Sequence, residues 1–597
     1  MVGVGNTRKL LRKDPVSGSF ATRVALWRAR RARMATGFVG QPEPRSIGLF
    51  SRGKQLVAGN FLLGGELVEQ PGVSIWDVAV SDTDAVRDLH GFAWLDDLAA
   101  VGDAQARRRA QDWTWDWIDR FGRGRGPGWT PDLTGRRLIR WINHAFLLLS
   151  GRDQAQSQAY FRLLTLQTLY LSRHWQKSIP GLPRFEALTG MISAGLALTG
   201  MEKLVAPAVA ALAADCKTEI DREGGIPTRN PEDLLEVFTL LTWAAQALAE
   251  AGKIAPPDLQ AALERIAPTL RALRHADGGL ARFHGGGRGA EGRLDQALAA
   301  AGVRSGGVRT TGQTVAGVRA TGAPGLAMGF ARLAGGRTTI VLDAAAPAGG
   351  RAGFSAHAGT CAFEMTSGRR PVIVNCGSGT PFGAEWRRAG RATPSHSTLA
   401  VDGFSSSRLS GTGDEALVDR AAISVLRLTN GPEGPGLHIA HSGWVATHGL
   451  SHVRDVSLTS DGRRVTGTDS LACLSLAEKR RFEKLMTDGR LQGVGFALRF
   501  HLHPDVDAAL DLGGTAVSLA LKSGEIWVFR HDGSGVLSLE PSVYLEKGRL
   551  QPRQARQIVL RARATDFETR LGWTLAKAQD TPLAIRDLDR DDVPVAG

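Results

Sequence analysis

Two histidines stand among small residues on either side of one apolar run. His357 lies in "AHAGTCAFEMTSGRR", His396 lies in "RATPSHSTLAVDG", and "PVIVN" separates them. A neutral imidazole can bind a metal or move a proton near neutral pH. Asn375 ends the "PVIVN" run, so the third candidate ligand is an amide oxygen rather than a carboxylate. Cys361 and Cys376 flank the same stretch. If the strands are regular, Cys361 faces with His357 and Cys376 faces away from Asn375. Earlier in the chain, "TRNPEDLLE" holds Arg229 and Asn230. Asn230 reads as a helix N-cap, with Pro231 at the first helical position and Asp233 at the third. His144 and His284 are further candidates. Trp113, Trp115 and Trp117 in "QDWTWDWIDRF" invite sugar stacking, but a spacing of two spreads rings around a helix, so at least one must be core.

The elements that must position these residues change character along the chain. Residues 1–99 are mixed. From 100 to 275, segments such as "LTGRRLIRWINHAFLLLSG" and "PEDLLEVFTLLTWAAQALAEAG" carry apolar residues three and four apart, the pattern of amphipathic helices. Short joins predict antiparallel neighbours, a solenoid or a closed ring of helix pairs. Residues 276–336 are rich in Gly and Ala and read as a crossing segment with a domain boundary. From 337 to 578 the period becomes two, in "TTIVLDA", "PVIVN", "GFALRFHLH" and "RQIVLRARA", which predicts an antiparallel β-sandwich. Residues 579–597 form a tail.

A chain of 597 residues exceeds one core, and 43% hydrophobic with 22% charged residues is ordinary for a globular protein. No run approaches the roughly 20 apolar residues of a membrane span. The N-terminus lacks an apolar signal region, which on sequence places the protein in the cytoplasm. Four cysteines without CxxC spacing read as reduced, buried thiols. The net charge of +14 suits a polyanionic partner. Basic residues concentrate only at 23–37, which reads as a solvated helix, and no nucleic-acid motif is present, so nucleic acid is not the expected partner.

The order of helices then sandwich, with a His-containing strand, "PVIVNCG" and "RATPSHST", resembles the heparinase II/III-like polysaccharide lyases over roughly residues 100–575. The resemblance implies an α+β multidomain fold, an N-terminal α/α toroid followed by the antiparallel sandwich. It implies β-elimination on acidic, uronic-acid-containing polysaccharide. It also implies one divalent metal, zinc or calcium, held by His357, Asn375 and His396, and export to the periplasm or cell envelope. That chemistry needs a base, an acid, and a group that steadies the uronate carboxylate. His357, His396, Arg229 and Asn230 are the expected catalytic residues; Arg391, Arg387 and Trp386 are the expected substrate contacts. The chain departs from the family pattern at Ser355, Gly359 and Asn375, where a histidine and two aspartates are usual. It departs again near Asp233, where a tyrosine is usual; its own tyrosines are Tyr160, Tyr170 and Tyr544. An amide in place of a carboxylate predicts weak metal binding at best. Two functions follow: a lyase of acidic polysaccharide, or a degenerate lyase homologue that binds acidic glycans or serves as a scaffold.

Overall fold

The computed structural model describes residues 34–578 except 47, 65, 81–82, 303–324, 411–415, 548 and 550. The tail, most of the basic segment 23–37 and the 303–324 part of the Gly-rich segment lie outside the described residues. The chain divides into two compact units. One runs to Glu219 and includes Thr239–Ala261; the other holds Ile220–Phe238 and everything from Ala262.

The first unit is helical. Its helices begin where the sequence supplies caps. Asp103 accepts from the N–H groups of Gln105 and Ala106 ahead of Ala104–Phe121. Asp153 and Gln156 form a reciprocal capping box ahead of Gln154–His174. Pro131 opens Pro131–Asn143. That helix packs closely on Leu182–Ala197 at a pair of glycines: a Cβ on Gly190 would lie 2.5 Å from the Gly135 Cα. Trp113 and Trp117 are buried among Phe92, Trp94 and Trp141. Both rings are therefore core, and only Trp115 of the three is partly open.

The second unit carries two antiparallel sheets. In one, eight strands run in the order Ile423–Gly431, Gly434–Trp444, Leu450–Leu458, Arg464–Ala472, Glu568–Lys577, Ile526–His531, Ala516–Ala520, Asp507–Asp511. The other holds nine, from Val536–Tyr544 through Arg553–Ala564, Val494–Leu502, Arg370–Val374, Phe363–Ser367 and Thr338–Asp343 to Phe330–Gly335 and Leu326–Ala327, with Leu399–Val401 paired beside Val494–Leu502. Inward side chains of both sheets share one core around Phe363, Phe500, Phe529, Trp527 and Trp573. The alternation is plain in Arg464–Ala472, whose first residues switch between exposed and buried before the strand enters the core. The architecture is thus a helical N-terminal region followed by an antiparallel sandwich.

Candidate functional site

The strand Thr338–Asp343 ends in a buried acid, and the chain then loops to Phe363–Ser367. That loop carries His357. The next connection, between Arg370–Val374 and Leu399–Val401, carries Asn375, the short helix Ala384–Arg391 and His396. The sequence places the two histidines on or beside strand-like segments; the structure puts both on loops beside strands. Gly353, Gly359 and Pro394 break the ladder there, and backbone bonds between the loops replace it: Ala358 N–H to Arg391 O at 2.8 Å, and Cys376 N–H to Ser395 O at 2.9 Å.

These loops bring the two imidazoles together. His357 Nδ1 and His396 Nε2 lie 3.1 Å apart. His396 Nδ1 donates to the Ala392 carbonyl at 2.9 Å, so its Nε2 holds the lone pair and accepts from His357 Nδ1–H. His357 Nε2 is thereby left as the acceptor nitrogen. Gly359 makes the approach possible, because a Cβ there would lie 2.7 Å from His396 Cδ2. Behind the pair, His284 Nδ1 accepts from the His357 backbone N–H at 3.2 Å, and its Nε2 lies 3.2 Å from Asp343 Oδ2.

Burial governs the charges. It pushes His357 well below the usual histidine range, and the neighbouring His396, His284 and Arg391 push the same way. Burial holds His396 down at about 4, against the opposing pull of the Ala392 carbonyl. For Asp343, burial favours the neutral acid, but Arg229 and His284 together outweigh it and keep the carboxyl below its ordinary value.

Arg229 adopts a left-handed backbone, φ 53°, unusual for a non-glycine residue. Its five N–H groups all meet protein acceptors: Met328 O, Ala345 O, Ala346 O, Gly329 O and Asp343 Oδ1. The guanidinium also lies over the Phe330 ring, 4.7 Å from its centroid. Asn230 caps the helix Pro231–Glu250, its Oδ1 accepting from Glu232 N–H at 2.9 Å and Asp233 N–H at 3.3 Å. Arg391 ties down the loop before His357 through Ala356 O at 2.9 Å and Gly353 O at 3.0 Å. Trp386 is 37% exposed on the short helix, with Arg387 half-buried beside it. Asp233, near the place where the family has tyrosine, has its carboxyl pushed up to about 6 by burial, with Lys547 opposing. All three tyrosines are buried; Tyr160 and Tyr170 donate to the carbonyls of Trp141 and Trp129, and Tyr544 stacks under Arg282.

Asn375 does not turn its amide to the imidazoles as a ligand would. Its Oδ1 accepts from the Ser397 N–H at 2.9 Å, and its buried Nδ2 meets no partner among the described residues. The donor set for the implied divalent ion is then two neutral imidazoles already sharing a proton and an amide oxygen already occupied. The nearby Asp343 carboxylate is already taken by Arg229 and His284, and this arrangement does not fit a zinc or calcium ion. Sequence reasoning missed Asp343, whose signal is an acid closing the strand "TTIVLD". It also missed a second histidine pair, His441 and His452, which sits beside Cys361.

The family described as Heparinase II/III-like, C-terminal, matches residues 318–574. The chain is a divergent member of the heparinase II/III-like family. The FtsZ-localized protein C of Caulobacter vibrioides (strain NA1000 / CB15N) is 30% identical over 608 residues, covering 95% of this chain and 99% of that protein. The crystal structure of heparinase III matches with a TM-score of 0.65 at 15% identity, over 94% of this chain and 89% of that one. The heparan sulfate lyase HepC of Pedobacter heparinus matches over the same shares with a TM-score of 0.53 at 15% identity. At that identity the likeness is one of fold. Among the described residues no helix is long and apolar enough to cross a membrane.

Proposed function

We propose that this chain is a lyase-fold protein that works by binding and not by β-elimination, a scaffold that acts together with FtsZ on the cytoplasmic side. One observation carries the reading: the groups that would steady a uronate carboxylate are spent on the protein itself. Arg229 directs all five N–H groups at protein acceptors, and Arg391 holds the loop carbonyls of Ala356 and Gly353. A guanidinium with all five N–H groups engaged, as at Arg229, has no bidentate face left for a ligand. The name of the Caulobacter relative supplies the partner.

A second reading keeps the lyase. His357 Nε2 retains its lone pair and is a candidate base, and the net charge of +14 favours an acidic polysaccharide. In that reading Trp386 and Arg387 contact the sugar and Asn230 positions the helix Pro231–Glu250. One experiment separates the two. The full chain is incubated with a panel of uronic-acid polysaccharides, and ultraviolet absorbance of unsaturated uronate ends is followed. No increase over a blank is expected; an increase that His357→Ala abolishes establishes the lyase and removes the scaffold reading.

A further inference from the structure

We propose that Cys361, His441 and His452 form a buried site for a thiophilic d¹⁰ cation, zinc or copper(I), separate from the His357–His396 pair. His441 and His452 are register partners on the neighbouring strands Gly434–Trp444 and Leu450–Leu458. His441 Nε2 and His452 Nδ1 lie 3.2 Å apart. Two metal–nitrogen bonds of about 2.0 Å at a tetrahedral angle span about 3.3 Å, so the spacing already suits one ion. The Cys361 Sγ joins them, the three ligand atoms lying within 4.8 Å of one another. All three residues are fully buried.

The surroundings of His452 are those of a metal ligand. Its Nε2 donates to Asp469 Oδ1 at 2.7 Å, which directs the Nδ1 lone pair at the ion position. Asp469 is itself fixed by Arg454 Nε at 2.6 Å and Trp573 Nε1 at 2.9 Å. Cys361 is the less economical residue for its place. Its backbone is left-handed, φ 68°, where glycine is the default, and its Sγ makes no hydrogen bond among the described residues. The fully buried Arg454 Nη2 also lacks a hydrogen-bond partner among the described residues, although the guanidinium's charge is paired with Asp469 through Nε.

A metal-free network accounts for the imidazoles alone: Gly443 N–H to His441 Nδ1 at 3.1 Å, His441 Nε2–H to His452 Nδ1, His452 Nε2–H to Asp469. It leaves the thiol without a role. Metal binding rearranges two protons. The thiol proton goes to solvent, and the His441 proton moves from Nε2 to Nδ1, giving up the Gly443 contact. Three ligands in a dry core suit copper(I) without addition, whereas zinc takes a fourth ligand from water. Either ion would also brace the first pair, because Arg454 Nη1 donates to both Cys361 O at 2.6 Å and Ser397 O at 3.1 Å, next to His396.

The test uses the full chain, stripped by chelation and titrated with zinc, with copper(I) under reductant, and with cobalt(II) as the optical probe. One equivalent of cobalt is expected to raise a thiolate-to-metal charge-transfer band that zinc or copper(I) then displaces, the tighter of the two naming the ion. Cys361→Ser should lose the band and His452→Gln should bind at least tenfold more weakly, while Cys376→Ser and His396→Gln keep both. Absence of a thiolate band in the folded wild-type chain overturns the proposal, and so does a band that survives in Cys361→Ser. Because the wild-type result decides alone, a variant that misfolds does not rescue the idea.

Discussion

Arg229 tests most directly whether the site's cation serves a ligand or the fold. In Arg229→Met the side chain keeps much of its length and loses the charge. Asp343, with no exposed surface, then keeps, among the described residues, His284 and the distant Ala345 N–H at 3.5 Å, and no cation that stays charged near neutral pH. Removing one partner of a buried ion pair typically costs about 3–5 kcal/mol, because the other charge stays behind unpaired. Four carbonyls, those of Met328, Gly329, Ala345 and Ala346, also lose their donor, at about 1 kcal/mol each where water cannot replace it. A loss of at least about 3 kcal/mol is therefore expected. Urea unfolding at pH 7.5, followed by tryptophan fluorescence, measures it. Arg229→Met with Asp343→Leu should recover part of the loss, since no charge is then stranded. A single variant as stable as the wild type, with weakened binding to acidic polysaccharide, would falsify the structural role and return Arg229 to the ligand.

Other outcomes follow from the same loops. Stability should fall steeply in mild acid. His396 and His501 are each held at about 4 by burial, below the ordinary 6.5, so the unfolded chain takes up their protons first. Their contribution is complete above about pH 6.5 and is lost as pH falls toward 4, on the order of 3 kcal/mol each at most. Urea midpoints from pH 8 to pH 4 check this, and His396→Gln should flatten the slope by one proton. Gly359→Ala should cost about 1–3 kcal/mol by overpacking against His396, read in the same unfolding assay. Asn375→Asp buries a carboxylate near Glu364, whose Oε1 accepts the Asn375 N–H at 3.4 Å. It should destabilise by about 1–3 kcal/mol at pH 8, less at pH 5, because burial raises the new carboxyl's folded pKa and protonation then favours the native state.

Periodicity carried most of the fold, because it records burial directly. "LTGRRLIRWIN" repeats at three and four and is a helix; "VGFALRFHL" alternates and is a strand. Loops have no such period, and the site lives on loops. The sequence could offer His357, Asn375 and His396 as neighbours, yet it could not say which way the Asn375 amide turns. That is settled by the Ser397 N–H, a backbone group carrying no sequence signature. The same limit hid His441 and His452: their pairing depends on the register of two strands whose connection holds an irregularity between His441 and Trp444. Asn230 was legible as a cap because capping is local, needing only the residues that follow it.

The persistence of the histidine pair does not require persistent catalysis. His357 and His396 are held by groups that take no part in proton transfer: Arg391 on the carbonyls of Gly353 and Ala356, Thr393 Oγ1 on the Ala358 carbonyl at 2.8 Å, and His501 Nε2 on the Pro394 carbonyl at 2.9 Å. These bonds fix two buried loops whose backbone must be satisfied whatever the side chains do. Elimination asks for more: a proton donor, an accessible cation and a base with solvent or substrate at its lone pair. The frame and the reactive groups therefore rest on different residues. The frame's hydrogen bonds come from Arg391, Thr393 and His501, and none of them depends on the side chains at Gly359, Asn375 or Asp233, where the family resemblance leads one to expect two aspartates and a tyrosine. The frame and any chemistry at the pair can thus vary separately, and the missing Cβ at Gly359 belongs to the frame, since a Cβ there would lie 2.7 Å from His396 Cδ2.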